Sequence, residues 1–193
     1  MCIRRHLATA GALAMLVVLA SAAPAQSTIF ERGTFSFEES VEEDLCGIAV
    51  RIDSVGSGHF RNRTGKGELD QAFFGMEVFE FSDTFTNLAT GAFFTIEGHG
   101  TFRDVKATPV GGNVFEFEVL VAGPINVVRD MEGNVVLRDR GAIWQTFLFD
   151  TLGDNQPGGE LLAESFDRVS GPHPLFPDMD EAAFCDMVHD LIG

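Results

Sequence analysis

Past the first 25 residues the chain carries four histidines, His59, His99, His173 and His189, and two cysteines, Cys46 and Cys185. No two of these histidines stand at the H-x-H or H-x-x-x-H spacing that would bring two imidazoles to one metal ion. A metal centre would therefore need the fold to gather its ligands. His59 and His99 could meet if their strands are adjacent, with a carboxylate such as Glu97 joining them, but isolated surface or loop histidines are the simpler reading. Nucleophilic chemistry has no local signature either. There is no G-x-S-x-G elbow, and Gly56-Ser57-Gly58 and Ser170-Gly171 read as turns. Glycoside hydrolysis needs two carboxylates held at a set separation, and among 29 acidic residues no pair is singled out. The run Asp150-Thr151-Leu152-Gly153-Asp154-Asn155 offers oxygen ligands but lacks the calcium-loop pattern, and reads as a polar loop. Asn62-Arg63-Thr64 matches a glycosylation sequon. No cofactor is implied.

The two cysteines have no C-x-x-C spacing and no basic neighbour to lower a thiol pKa. Far apart in an exported chain, Cys46 and Cys185 most simply form one disulfide. Export is read from the N-terminus. Arg4 and Arg5 precede an uncharged, mainly apolar stretch over 7–20, and Ala23-Pro24-Ala25 is a small-x-small cleavage site. Residues 1–25 are thus expected to be a signal peptide, too short in its apolar part for a good membrane span. The Arg pair leaves the choice between Sec and twin-Arg export open. The remaining 168 residues hold 11 basic and 29 acidic side chains, a formal charge of −18. Such a balance argues against nucleic acid and against an anionic membrane surface, both of which are held by clustered Lys and Arg. The expected localisation is extracellular, with no membrane span in the mature chain.

The most informative residue type is Phe: there are 19, against one Trp and no Tyr. A Phe ring has no polar handle, so it needs burial or an apolar ligand. A Phe-rich core accounts for the count by packing alone. The functional reading is an apolar pocket lined by Phe79, Phe81, Phe94, Phe117, Trp144 and Phe147.

Strands are needed to position these rings. Over 114–121, Phe115, Phe117, Val119 and Val121 alternate with Glu116 and Glu118, the period of a half-buried strand. Residues 125–129 and 134–139 flank the turn Met131-Glu132-Gly133-Asn134 and form a hairpin. In 142–150, Ile143, Gln145, Phe147 and Phe149 share one face, and Trp144, Thr146 and Leu148 the other. Over 73–85 the phase changes near Val78-Phe79, so a β-bulge is expected there. Over 93–102, Gly98 and Gly100 alternate with apolar residues, as at a barrel corner. Residues 46–55 and 59–64 read as a second hairpin about Gly56–58. The first strand is expected over 34–41, running into a solvated acidic loop of Glu38, Glu39, Glu42, Glu43 and Asp44. The last strand spans 159–169. Pro172, Pro174 and Pro177 then exclude regular structure, and a helix follows over 178–192, capped by Asp178 or Asp180.

About nine or ten short strands with frequent Gly turns give an all-β domain over 26–193. An up-and-down antiparallel barrel with a short C-terminal helix is favoured, and a jelly-roll sandwich is the runner-up.

Residues 82–91 (SDTFTNLATG), 129–136 (RDMEGNVV), Ser170-Gly171-Pro172-His173 and the late Cys185 together resemble small exported bacterial proteins, chiefly actinobacterial. That resemblance covers most of the mature chain and carries no catalytic residues. A looser likeness is to lipocalin-type and allene-oxide-cyclase-type barrels, although the early G-x-W of lipocalins is absent. The reading reached is a secreted, non-enzymatic β-barrel that binds a small apolar ligand. The alternatives are a barrel-type cyclase or isomerase, a carboxylate-based hydrolase, and a structural or cell-surface interaction protein.

Overall fold

The computed structural model describes residues 30–156, 158–175 and 179–193. The expected signal peptide lies outside them. The described chain is one seven-stranded antiparallel sheet in which each strand pairs with the next in sequence. The strands are β1 (Phe30–Leu45), β2 (Ile48–Thr64), β3 (Phe73–Asn87), β4 (Phe93–Gly111), β5 (Val114–Arg129), β6 (Val135–Asp150) and β7 (Glu160–Ser170), followed by one helix, α1 (Glu181–Ile192). This is up-and-down connectivity, not the two packed sheets of a jelly roll. Among the described residues no ladder joins β7 back to β1, so the sheet is not closed.

Fewer, longer strands form than the sequence predicts: 114–121 and 125–129 join in β5, and 134–139 and 142–150 join in β6, the ladder between them absorbing the change in phase as a register shift. Gly56–58 do not turn the chain: β2 runs straight through them, pairing with β1 and β3 without a register shift. The acidic run after Phe37 is not a loop either; it is the second half of β1, at the sheet edge. An edge strand with Glu38, Glu39 and Glu42 exposed repels a second edge, which blunts edge-to-edge aggregation. The bulge expected at Val78-Phe79 is absent, and β3 keeps one register with both neighbours. The register shifts lie instead in the β4–β5, β5–β6 and β6–β7 ladders. The 131–134 hairpin forms as predicted, with the Asp130 carboxylate accepting from Asn134 N and Nδ2.

Directly opposed residues in a ladder point to the same side of a sheet, so the registers define two faces. One, here the inner face, carries Phe35, Phe37, Phe60, Phe79, Phe81, Phe85, Phe94, Phe102, Phe115, Phe117, Phe147 and Phe149. The outer face is polar. Ser57 Oγ donates to Glu80, Arg129 Nε to Glu97, and Ser40 Oγ and Arg51 Nε to Asp53. These donors hold the Asp53 carboxyl below the usual carboxylate range, the Ser40 hydroxyl first and Arg51 second.

Two apolar cores sit on the inner side. In the first, Phe184, Val188 and Ile192 of α1 pack on Val50, Phe94, Ile96 and Val128. Their i, i+4, i+8 spacing makes one stripe along the helix, and burying each contributes about 1.5–3 kcal/mol. Asp180 caps the helix by accepting from Ala183 N, and Asn87 Nδ2, from the end of β3, donates to the Ile192 carbonyl at the other end. Both ends of α1 thus have partners for backbone groups a helix leaves unpaired. The Cys46–Cys185 disulfide, with Cα atoms 5.4 Å apart, ties α1 to the β1–β2 turn. Fully buried Asp139 accepts from Leu175 N and Asn126 Nδ2, clipping the segment before α1 onto the sheet. The second core gathers Ala72, Phe74, Ala107, Phe115, Phe117 and Val119 toward the other end of the strands.

Candidate functional site

Between the two cores the inner face carries a pattern built from Phe and Gly. Across β1, β2, β3 and β4 one row reads Phe37, Gly56, Phe81, Gly98, and the next Phe35, Gly58, Phe79, Gly100. Each ring lies over a glycine opposite it. A Cβ on Gly56 would stand 2.4 Å from the Phe37 ring, one on Gly58 2.5 Å from Phe35, and one on Gly98 2.4 Å from Phe81. The third row starts with the reverse pair, Gly33 beneath Phe60, whose ring a Cβ would meet at 2.8 Å. Large and small residues therefore alternate along and across the strands. The rings fill the volume that the glycines vacate, and the glycines let the sheet coil without a clash.

The face is concave farther along. Phe102 of β4 and Phe147 of β6 stack with centroids 6.4 Å apart, although β5 runs between them. In a flat sheet, side chains two strands apart stand about 9.5 Å from one another. The rings lean together over β5 because the sheet curls. Phe35, Phe60, Phe79, Phe81, Phe102 and Phe147 are only half-buried, and Phe37 is 37% exposed. The result is an aromatic trough open on one side.

The six residues proposed from sequence divide three ways. Phe79, Phe81 and Phe147 line the trough. Phe94 and Phe117 share its face but are buried: Phe94 is fully covered beside α1, stacked at 4.7 Å on Phe85, and Phe117 belongs to the second core. Trp144 is not brought together with them. It projects from the outer face, where the Arg168 guanidinium lies 3.9 Å over its ring. That side was readable from the alternation of 142–150, which sets Trp144 apart from Phe147. Four trough residues lie outside that set: Phe35, Phe37 and Phe60 are on segments whose pairing is obscured when Gly56–58 reads as a turn, and Phe102 of β4 joins the trough only through the curl that stacks it on Phe147.

Ionisable groups also reach this face. Glu77 stands directly between Phe60 and Phe102 in the third row. Asp83 lies opposite Ser54, and Asp104 accepts a hydrogen bond from Gly75 N. Burial pushes all three carboxyls above their ordinary range. Asp104 rises to about 6 against the pull of the Gly75 bond, and Asp83 is raised despite the Ser54 hydroxyl. His59 and His99 do not lie on adjacent strands: they are on β2 and β4, on the outer face, with β3 between. His173 is buried in the segment before α1, and His189 lies within α1. Among the described residues no group of three His, Cys, Asp or Glu is placed to hold a metal ion. The 150–155 loop is an ordinary turn, with Asp150 and Asp154 accepting from the amides of Leu152 and Gln156.

Two hollows lie away from the trough. One of about 330 Å³, on the outer face, is lined by Glu116, Glu118, Trp144, Thr146, Asp167 and Arg168 among others. The other, about 450 Å³, lies between Arg63, Leu69, Phe74 and Ala107 at the end of the sheet. Both are shallow, and neither carries a carboxylate whose pKa is raised by burial. Among the described residues no helix is long and apolar enough to cross a membrane.

Comparison of the chain with protein-family models, curated proteins and solved structures gives no match.

Proposed function

We propose that this chain is an exported, non-enzymatic binding protein whose sheet rolls toward a barrel and holds a small apolar ligand against its Phe-lined face. One observation carries the reading: the trough rings are half-exposed on a concave face, while Phe94 beside α1 and Phe115 and Phe117 at the far end of the sheet are buried. A protein using Phe only to fill a core has no reason to leave rings half-covered over glycines. The up-and-down order of the strands and the curl over β5 support the barrel, since rolling further brings β7 toward β1. The N-terminal signal pattern, the disulfide and the acidic balance support export.

Titration of the secreted protein with a neutral fluorescent apolar probe such as an uncharged naphthalene dye tests this. Saturable binding that is lost in Phe79→Ala and Phe81→Ala is expected. Absence of saturable binding to the folded wild type would sink the reading.

A second reading, a cell-surface interaction protein, is favoured by the other edge. Leu161, Leu162 and Phe166 of β7 are 46–49% exposed beside a strand edge that no ladder fills among the described residues.

A further inference from the structure

The charge on the inner face is one-sided. In the paired stretches that carry the Phe–Gly rows, the basic residues Arg32, Arg51, Arg61 and Arg103 all project from the outer face. The carboxylates Glu77, Asp83 and Asp104 project from the inner one. Among the described residues Glu77 has neither a cation nor a hydrogen-bond donor, and burial is the one influence on its carboxyl. A half-buried carboxylate between two Phe rings costs free energy in the empty protein, because it gives up water and gains no partner. The same surroundings suit a ligand cation. The carboxylate supplies the counter-charge, and the half-exposed Phe rings of the trough supply apolar contact and cation–π attraction in a site partly screened from water.

We propose that the occupant of the trough is an amphipathic cation, an aliphatic or aromatic body bearing a protonated or quaternary amine, with its charged end at Glu77 and its body along the Phe–Gly rows. This rests on the apolar-ligand reading above and narrows it to one chemical class.

The test uses three probes of equal chain length, below their micellar concentrations: decyltrimethylammonium, decanoate and decanol. Each is titrated calorimetrically into the wild type, Glu77→Gln and Glu116→Gln. Glu116 is exposed on the outer face, so its variant makes the same change in net charge away from the trough. The expected result is that the wild type binds the ammonium at least about 10-fold tighter than decanoate. Glu77→Gln should lose about 10-fold for the ammonium and leave decanol unchanged, and Glu116→Gln should leave all three unchanged. Saturable decanol binding without head-group preference overturns the inference and spares the apolar-ligand reading. Equal losses in the two variants also overturn it, since net charge alone would then explain the preference. If none of the three probes binds, both readings fail.

Discussion

Asp104→Asn should make this protein more stable at neutral pH. Burial raises the Asp104 carboxyl from an ordinary value near 3.8 to about 6, so its ionisation is easier in the unfolded chain than in the folded one. The sign follows from linkage. Between those two values the folded state holds the proton that the unfolded state has released. Unfolding free energy therefore falls as pH rises through the interval and stays reduced above it. At about 1.4 kcal/mol per pH unit, the penalty at pH 7.5 is on the order of 3 kcal/mol. Asparagine keeps an oxygen that accepts from Gly75 N and removes the charge. Urea denaturation at pH 7.5 should thus show a gain of about 2–3 kcal/mol, or roughly 4–12 °C in Tm for a domain of this size. At pH 3.5 the folded-state carboxyl is protonated and the unfolded one mostly so, and the gain should shrink to about 0.3 kcal/mol or less. Glu116→Gln, an exposed acid on the outer face, should change stability by no more than about 0.5 kcal/mol at either pH. A variant that is neutral or destabilised at pH 7.5, or a gain that persists undiminished at pH 3.5, would refute the reasoning. The result also bears on function, because the inner face of the empty protein is then carrying a charge it would be more stable without.

Three other outcomes follow from the packing. Reducing the Cys46–Cys185 bond, which spans 139 residues, should cost about 4–5 kcal/mol and lower the Tm in dithiothreitol; two titratable thiols in the unreduced, denatured protein would contradict the bond itself. Gly98→Ala sets a Cβ 2.2 Å from the Ile125 carbonyl oxygen and 2.4 Å from the Phe81 ring. It should cost about 3 kcal/mol or prevent folding, whereas Gly75→Ala, whose nearest neighbour is the Asp104 carboxylate at 3.3 Å, should cost less than half as much by the same denaturation assay. Asp139→Ala strips the buried acceptor from Leu175 N and should lose about 2–4 kcal/mol, with hydrogen exchange at Leu175 accelerating before exchange in the central strands.

Several features of this protein are local, and the sequence alone determines them. The alternation of Phe115, Phe117 and Val119 with glutamates can only be a strand with one wet face. Phe184 and Val188 in helical phase specify α1, while the choice of Asp180 over Asp178 as its cap belongs to the fold. The 131–134 turn carries its own hydrogen bonds through Asp130. The pairing of Cys46 with Cys185 follows once Cys2 is set aside with the expected signal peptide.

The trough was not local. Gly56-Ser57-Gly58 suits a turn as well as a strand, and what decides is the filling of the missing Cβ volumes by the rings of Phe35 and Phe37 from β1 and by backbone carbonyls of β3, which no window along the chain contains. The same holds for Glu77. In sequence a glutamate out of phase with its neighbours reads as a slipped register, because a carboxylate on an apolar face is costly. In the folded protein the register does not slip, and the cost is borne. Fifteen paired positions along β2 and β3 share one alignment, so shifting it at Val78 would turn Phe79, Phe81 and Phe85 out to water to spare one charge. Several half-buried rings outweigh one carboxylate, and only the assembled sheet puts them on opposite sides of that balance.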